Sequence, residues 1–176
     1  MTARAREAAL LALLAVALGT LEGLVPRPVP FLKLGLANAA VILALVRLGA
    51  AGAAVVTGVR VAGVGLATGV LATPSFALSA SGALASLAVM GLLCHLRPGA
   101  VSVVGISVAG GEASMLGQLG AAALILPELP LRSLAAPAVA WGCVSGALVG
   151  VAANWLLRRG RLESALDRLA RGASEG

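Results

Sequence analysis

The stretch "FLKLGLANAAVILALV", residues 31–46, places Lys33, Gly35 and Asn38 directly before an unbroken apolar run. An apolar run of this kind is unfavourable in water, and polar residues at its front edge are typical of the point where a helix enters a membrane. The stretch therefore predicts the start of a membrane-spanning helix. The composition of the whole chain is the first test of this prediction.

The composition excludes an ordinary soluble domain. Of the 176 residues, 60% are hydrophobic and only 11% are charged, whereas a soluble domain carries roughly 25% charged residues. The chain contains several apolar stretches of the roughly 20 residues that a helix needs to cross a bilayer core. We therefore predict an all-α, polytopic membrane helix bundle.

About six transmembrane helices are predicted, separated by prolines, glycines and short polar segments. They cover residues 7–25, 34–48, 51–71, 76–96, 101–126 and 134–157. The helices form one predicted domain, residues 1–157. The fifth is long and contains Gly110 and Gly111, so we expect it to be kinked or partly re-entrant there.

The first apolar segment admits a second interpretation. Arg4 and Arg6, the apolar core and "AVA" at residues 15–17 imitate a secretory signal peptide. The apolar run continues past this tripeptide to Val25, so cleavage would fall inside it. This favours retention as the first helix.

The arginines indicate how the chain is oriented. An even number of crossings would place one group on the same side as both termini: Arg4, Arg6, Arg47, Arg97, Arg158, Arg159 and Arg161. Only Arg27, Lys33 and Arg132 would lie opposite. The positive-inside rule then predicts a multi-pass protein of the cytoplasmic membrane with both termini in the cytoplasm. The net charge of +6 is explained by topology, without nucleic-acid binding.

The remaining residues, 158–176, form a predicted basic, amphipathic cytoplasmic tail. Leu162, Leu166 and Leu169 share one helical face, with arginines elsewhere. Such a helix could lie on anionic lipid or dock on a cytoplasmic partner. A solvated chain end is an equally good interpretation.

Three ionisable residues, Glu22, Arg60 and Glu112, fall inside apolar segments. An ionisable residue near the bilayer centre costs roughly 2.5–3.5 kcal/mol on insertion scales, so such residues usually face the bundle interior. The cost is smaller for Glu22, which lies close to the outer end of the first helix. Arg60 is expected to bind an anionic ligand group or to form a buried ion pair with one of the glutamates. Gln118 adds hydrogen-bonding capacity on the segment of Glu112 and favours a lined cavity, although interhelical bonding would also explain it.

Several absences argue against catalysis. The only aspartate is Asp167, so no aspartate-rich magnesium site for diphosphate chemistry exists in the sequence. The only lysine, Lys33, follows a leucine, so there is no Walker A loop. No nucleophile, histidine and acid set is apparent either. We predict no enzyme activity, no metal site and no cofactor for this chain.

The first helix carries a separate small-residue pattern. Ala5, Ala8, Ala9 and Ala12 form overlapping small-xxx-small pairs, the spacing that lets helix backbones approach closely in membranes. This face is a candidate contact surface, for a partner protein or within the bundle.

The stretch "LEGLVPRPVPFLKLGLANAAVILAL" resembles the signature of a family of small bacterial membrane proteins, heptaprenyl diphosphate synthase component I, also named the Gx transporter family. The matching positions are Glu22, Pro28, Pro30, Lys33, Leu34, Gly35, Leu36, Ala37 and Asn38. The resemblance extends to Arg60 and to "SVVGISVAGGEASMLGQL", and covers most of residues 8–155. Many relatives carry His-Asn where this sequence has Ser114-Met115, so substrate identity is expected to differ.

The six-helix pattern is also similar to the substrate-binding (S) components of energy-coupling-factor vitamin transporters. This resemblance implies a ligand site near the outer face, with Lys33, Gly35 and Asn38 on its rim. The implied ligand-binding set is Glu22, Lys33, Gly35, Asn38, Arg60, Glu112 and Gln118. A helix-start turn in which Lys33 reaches lipid headgroups is the competing interpretation of the rim. The implied partners are a membrane coupling subunit and two ATPases, which could contact the alanines of the first helix.

Two functions follow as expectations. The first is an S-component-like substrate-binding subunit of a small-molecule transporter, with an anionic or zwitterionic ligand. The second is a non-catalytic membrane component of a heptaprenyl diphosphate synthase, whose active site would lie on a soluble partner subunit. The deep polar residues favour the first.

Overall fold

A computed structural model describes residues 2–24, 34–96, 99–128, 130–158 and 160, and within this part the chain is all-α. Five helices are present there: α1 (Ala3–Leu24), α2 (Leu36–Ala67), α3 (Pro74–Leu96), α4 (Val103–Ile125) and α5 (Leu131–Arg158). All five are long and apolar enough to cross a membrane. The predicted tail lies beyond the described residues, apart from its first residue, Arg158, and Gly160.

Helix α2 reverses direction at Gly49. This residue has φ 77° and ψ −174°, which is not helical and is accessible essentially only to glycine. In a straight helix, residues 38 and 60 would be about 33 Å apart. Instead, Arg60 Nη1 donates a hydrogen bond of 2.7 Å to Asn38 Oδ1. Residues 36–48 and 50–67 therefore lie side by side as two antiparallel halves.

The described part of the chain has five helices where the sequence predicted about six. The predicted segments 34–48 and 51–71 are the two halves of α2, and the predicted joint between them is the turn at Gly49. The predicted segments 7–25, 76–96, 101–126 and 134–157 correspond to α1, α3, α4 and α5, with ends displaced by a few residues.

The first half of α2 lies at the centre of the bundle. Every residue from 40 to 45 is buried, so this stretch has no face for lipid or water, as expected of a helix that is apolar all round. Leu36 and Val46, on either side of it, are exposed. Leu11 and Ala15 of α1, both 0% exposed, belong to the same core cluster. Helix α1 is thus an integral part of the bundle.

Glycines let α4 pack closely against its neighbours. A Cβ atom at position 111 would lie 2.6 Å from the Gly142 carbonyl oxygen, and one at position 110 would lie 2.7 Å from Met90. Unlike α2, helix α4 (Val103–Ile125) contains no residue with non-helical backbone angles, so the structure does not show the predicted kink or re-entrant break at Gly110 and Gly111. The pair allows close helix contact instead of bending the backbone.

The bundle has two distinct ends. At one end, Arg47 Nη1 lies 2.9 Å from Glu7 Oε1, which brings the beginning of α1 close to the turn at Gly49. Leu48, Val101 and Leu157 pack against a single core cluster, so the α3–α4 connection and the end of α5 lie there as well. We call this the arginine end. At the opposite end, α1 stops, the first half of α2 begins and its second half ends. This end contains the cavity described below, and we call it the cavity end.

Candidate ligand-binding site

A cavity of about 190 Å³ lies between the helices and reaches from the cavity end into the middle of the bundle. Helices α1 and α2 line one side of it, and α3, α4 and α5 line the other. Its polar walls comprise Glu22, Asn38, Arg60, Thr68, Ser75, Ser79, Ser107, Ser114, Gln118 and Ser145. Its apolar walls include Val61, Val64, Val70, Phe76, Met115 and Val149.

Glu22 fixes the beginning of the central helix. Its Oε1 accepts a hydrogen bond of 2.6 Å from the backbone N–H of Gly35, which is the N-cap residue of α2. A carboxylate at this position also interacts favourably with the positive end of the helix dipole. Gly35 has φ 73°, in the left-handed region that glycine tolerates best. The glycine in the Lys33–Asn38 block is thus required by the turn into α2.

Arg60 connects the two halves of α2 inside the cavity. Its bond to Asn38 uses one of the five N–H donors of a guanidinium group, and the negative charge of Glu22 acts on it across the cavity. Asn38, in the first turn of α2, therefore holds Arg60 in place. The polar start of the apolar run at residue 34 is explained by these contacts: Gly35 makes the turn and Asn38 bonds to Arg60.

Gln118 and Ser114 form the polar part of the α4 wall. Gln118 Nε2 donates to the Ser114 carbonyl oxygen and lies within hydrogen-bond distance of Ser114 Oγ, at 3.2 Å in both cases. A Cβ atom at position 82 would lie 2.7 Å from the Gln118 side chain, so Gly82 of α3 leaves the room that this side chain occupies.

Ser107 and Ser145, both buried, line the inner part of the cavity and were not predicted. A sequence signal for Ser107 exists: positions 107, 111, 114, 115 and 118 repeat at the spacing of one helical face. Ser145 directly precedes Gly146 of α5, which also lines the cavity. Together they add hydroxyl groups to the wall formed by α4 and α5.

The structure brings together five members of the predicted ligand-binding set: Glu22, Gly35, Asn38, Arg60 and Gln118 all line the cavity. Glu112 is not among the lining residues. It sits on the side of α4 that faces Gly142, about 100° around the helix from the cavity-lining Gly111. Lys33 lies outside the described residues.

The four alanines of the predicted contact face do not share one environment. Ala12 is only 6% exposed and belongs to the bundle core, and Ala8 is half-buried. Ala5 and Ala9 are exposed. The outer part of the pattern is therefore limited to Ala5 and Ala9, because α1 turns its other small residues toward α2.

The cavity can supply a cation, a carboxylate, two amides and several hydroxyl groups to an occupant. Among the described residues, no group of three or more histidine, cysteine, aspartate or glutamate side chains could hold a metal ion. The chemistry available is hydrogen bonding and charge pairing, which suits a small polar molecule.

The fold and the cavity define a multi-pass helical membrane protein with a polar internal site. The sequence profile of the family Heptaprenyl diphosphate synthase component I matches residues 11–156, and the chain belongs to this family. No curated protein and no solved structure matches the chain.

Proposed function

We propose that this protein is the substrate-binding subunit of a small-molecule transporter, built like an S component, and that it captures an anionic or zwitterionic molecule in the cavity. The observation that carries the proposal is Arg60 beside Asn38 and Glu22, on the wall of an internal cavity. An intramembrane cation that lines a cavity is typical of a substrate pathway. On this proposal, Arg60 binds the anionic group of the ligand.

The size and polarity of the cavity support a small ligand. Pockets for drug-sized ligands have volumes of about 300–1,000 Å³, whereas this cavity measures about 190 Å³. A long polyprenyl chain would exceed this volume. It would also place hydrocarbon against the polar groups of Arg60, Gln118 and Ser145, which line the cavity, and their desolvation without hydrogen bonds would be unfavourable.

We further propose that the two halves of α2 each cross the membrane, giving six crossings and both termini in the cytoplasm. The arginines support this topology. Arg4, Arg6, Arg47 and Arg158 lie at or near the arginine end, and the exposed Arg132 lies at the cavity end. The positive-inside rule then assigns the arginine end to the cytoplasm, and the cavity faces outward to receive its ligand.

The proposed subunit is non-catalytic and works with partners. Its partners are a membrane coupling subunit and two ATPases, which supply the energy for release. Residues 158–176 form a basic tail on the cytoplasmic side, where lipid or a partner could bind it.

The second candidate function is a membrane component of a heptaprenyl diphosphate synthase. The family to which the chain belongs carries this description, and the description implies a partner synthase subunit. On this proposal a soluble subunit would contain the active site, and the helix bundle would hold it at the membrane and guide the polyprenyl product into the bilayer. Arg60 would then be a structural residue that orders the two halves of α2.

One experiment separates the two proposals. The tagged protein is purified from its native membrane in mild detergent, and the proteins and small molecules that accompany it are identified by mass spectrometry. Two ATPases and a membrane coupling protein would support the transporter subunit. A soluble prenyl synthase would support the second candidate and contradict the first.

A variant pair tests the role of Arg60. We expect Arg60→Ala to lose the small molecule that accompanies the wild-type protein, because its cationic anchor is gone. Arg132→Ala removes an exposed arginine outside the cavity and is expected to retain the molecule. If Arg60→Ala is folded, by gel filtration and circular dichroism, and still carries the molecule, Arg60 is not its anchor.

A further inference from the structure

Glu112 is a membrane-embedded carboxyl group that the proposed cavity does not use. Its side chain lies against α5, where a Cβ atom at position 142 would be only 2.8 Å from Glu112 Oε1. Gly142 therefore leaves the space that the carboxyl group occupies. The site is formed where α4 and α5 meet, beside the cavity wall.

Among the described residues, the Glu112 carboxyl group forms no ion pair. Oε1 of Glu112 is buried and has no hydrogen-bond partner among the described residues. The titratable side chain of α5 beside Glu112 is the thiol of Cys143, which is exposed. Within two turns on either side along α4, residues 105–119 contain no other charged residue. A thiol is a weak donor and does not neutralise a carboxylate.

The position along α4 places Glu112 far from both ends of the helix. At the rise of an α-helix, Glu112 is about 14 Å from the beginning of the helix at Val103 and about 20 Å from its end at Ile125. The hydrocarbon core of a bilayer is about 30 Å thick. Glu112 thus lies near the middle of the membrane, where an unpaired charge is strongly unfavourable and neutralisation by a proton removes the penalty.

We propose that Glu112 is a proton-binding site inside the membrane, separate from the cavity. The proton comes from the aqueous phase and is held on a carboxylate oxygen, which converts the group to a neutral carboxylic acid. Helix α4 then carries a proton on the side that faces α5, and it lines the ligand cavity with Ser114 and Gln118. The inference does not depend on the identity of the ligand.

The first test is chemical labelling of the full chain in phosphatidylcholine vesicles. A hydrophobic carbodiimide enters the bilayer and reacts with protonated carboxyl groups, and mass spectrometry of peptides locates the adduct. We expect an adduct on Glu112 and none on Glu128, which is exposed outside the helices. Leu116→Glu places a carboxyl group at an exposed position one turn further along α4 and shows that the reagent reaches this depth. An adduct on that variant, with none on Glu112 in the wild type, overturns the proposal.

The second test is infrared spectroscopy of the same vesicles. The carbonyl stretch of a protonated carboxylic acid is separate from the bands of a carboxylate. We expect this band in the wild type, its loss in Glu112→Gln and its retention in Glu128→Gln. Identical spectra in this region for the wild type and Glu112→Gln would overturn the proposal. If Glu112→Gln does not fold, the labelling of the wild-type chain decides alone.

Discussion

At the scale of single residues, Glu22 has two roles that a sequence cannot separate. It accepts the N–H of Gly35 at the start of α2, and its charge acts on Arg60 in the cavity. The first contact is structural, whereas the second shapes the electrostatics of the site. Both depend on the carboxylate being charged, because charge-assisted hydrogen bonds are roughly twice as strong as neutral ones.

Glu22→Gln is expected to destabilise the protein by about 1–2 kcal/mol. The neutral amide oxygen is a weaker acceptor for the N–H of Gly35, and the substitution also removes the negative charge beside Arg60. Thermal unfolding in detergent measures the effect. Glu128→Gln makes the same chemical change at an exposed position and is expected to leave the unfolding temperature unchanged. Equal unfolding temperatures for both variants would show that the contact with Gly35 contributes nothing.

At the scale of the helices, the turn at Gly49 determines the architecture. We expect Gly49→Ala to cost about 1–3 kcal/mol, because its φ and ψ values are unfavourable for any residue with a Cβ atom. Nothing lies within 4 Å of a Cβ atom placed there, so the penalty would come from the backbone alone. Denaturant unfolding of the purified protein measures it.

The control for this prediction lies in the second half of α2. Gly58 is helical and exposed, and a Cβ atom there would also meet nothing within 4 Å. Gly58→Ala is expected to be neutral or to stabilise the helix by about 0.5–1 kcal/mol. If the two alanine variants have the same stability, the turn does not require glycine.

A second helix-scale prediction concerns the packing of α4 on α5. Gly111→Ala is expected to destabilise the protein by about 1–3 kcal/mol, since its Cβ atom would lie 2.6 Å from the backbone oxygen of Gly142, and a backbone atom cannot move aside cheaply. Gly120→Ala, on the same helix with open space around it, is the matched variant and is expected to be tolerated. Thermal unfolding of both variants distinguishes close packing from helix propensity.

The sequence predicted where helices begin and end better than how they face one another. Gly49 marked a joint because glycine interrupts an apolar run there, and Gly35 and Asn38 marked a helix start. Glu112 was predicted to bind the ligand but faces Gly142 of α5 instead, because the nearby polar positions 112 and 114 lie on different sides of α4 and the sequence does not say which side faces inward. Ser107 was missed because a serine costs little in a membrane helix and attracts no notice by itself.

At the scale of the whole molecule, the cavity lies between two groups of helices. Helices α1 and α2 pack extensively on each other, and α4 packs extensively on both α3 and α5, whereas the contacts of α2 with α3, α4 and α5 are fewer. The cavity occupies part of the boundary between them. On the arginine side, a continuous core cluster that includes Leu43, Met90 and Val149 closes this boundary. The core cluster therefore separates the cavity from the arginine end.

The topology of the whole chain provides the last prediction. If both halves of α2 cross the membrane, the turn near Ala50 and the connection near Ala72 lie on opposite sides. If α2 counted as one crossing, five helices would place the two chain ends on opposite sides.

Single cysteines at the exposed positions 50 and 72, in a chain with Cys94 and Cys143 replaced by alanine, distinguish these arrangements. We expect a membrane-impermeant maleimide to label Ala72→Cys in intact cells and Ala50→Cys only after lysis. Labelling of both positions in intact cells would contradict the six-crossing topology, and labelling of Ala50→Cys alone would reverse the orientation that the arginines predict.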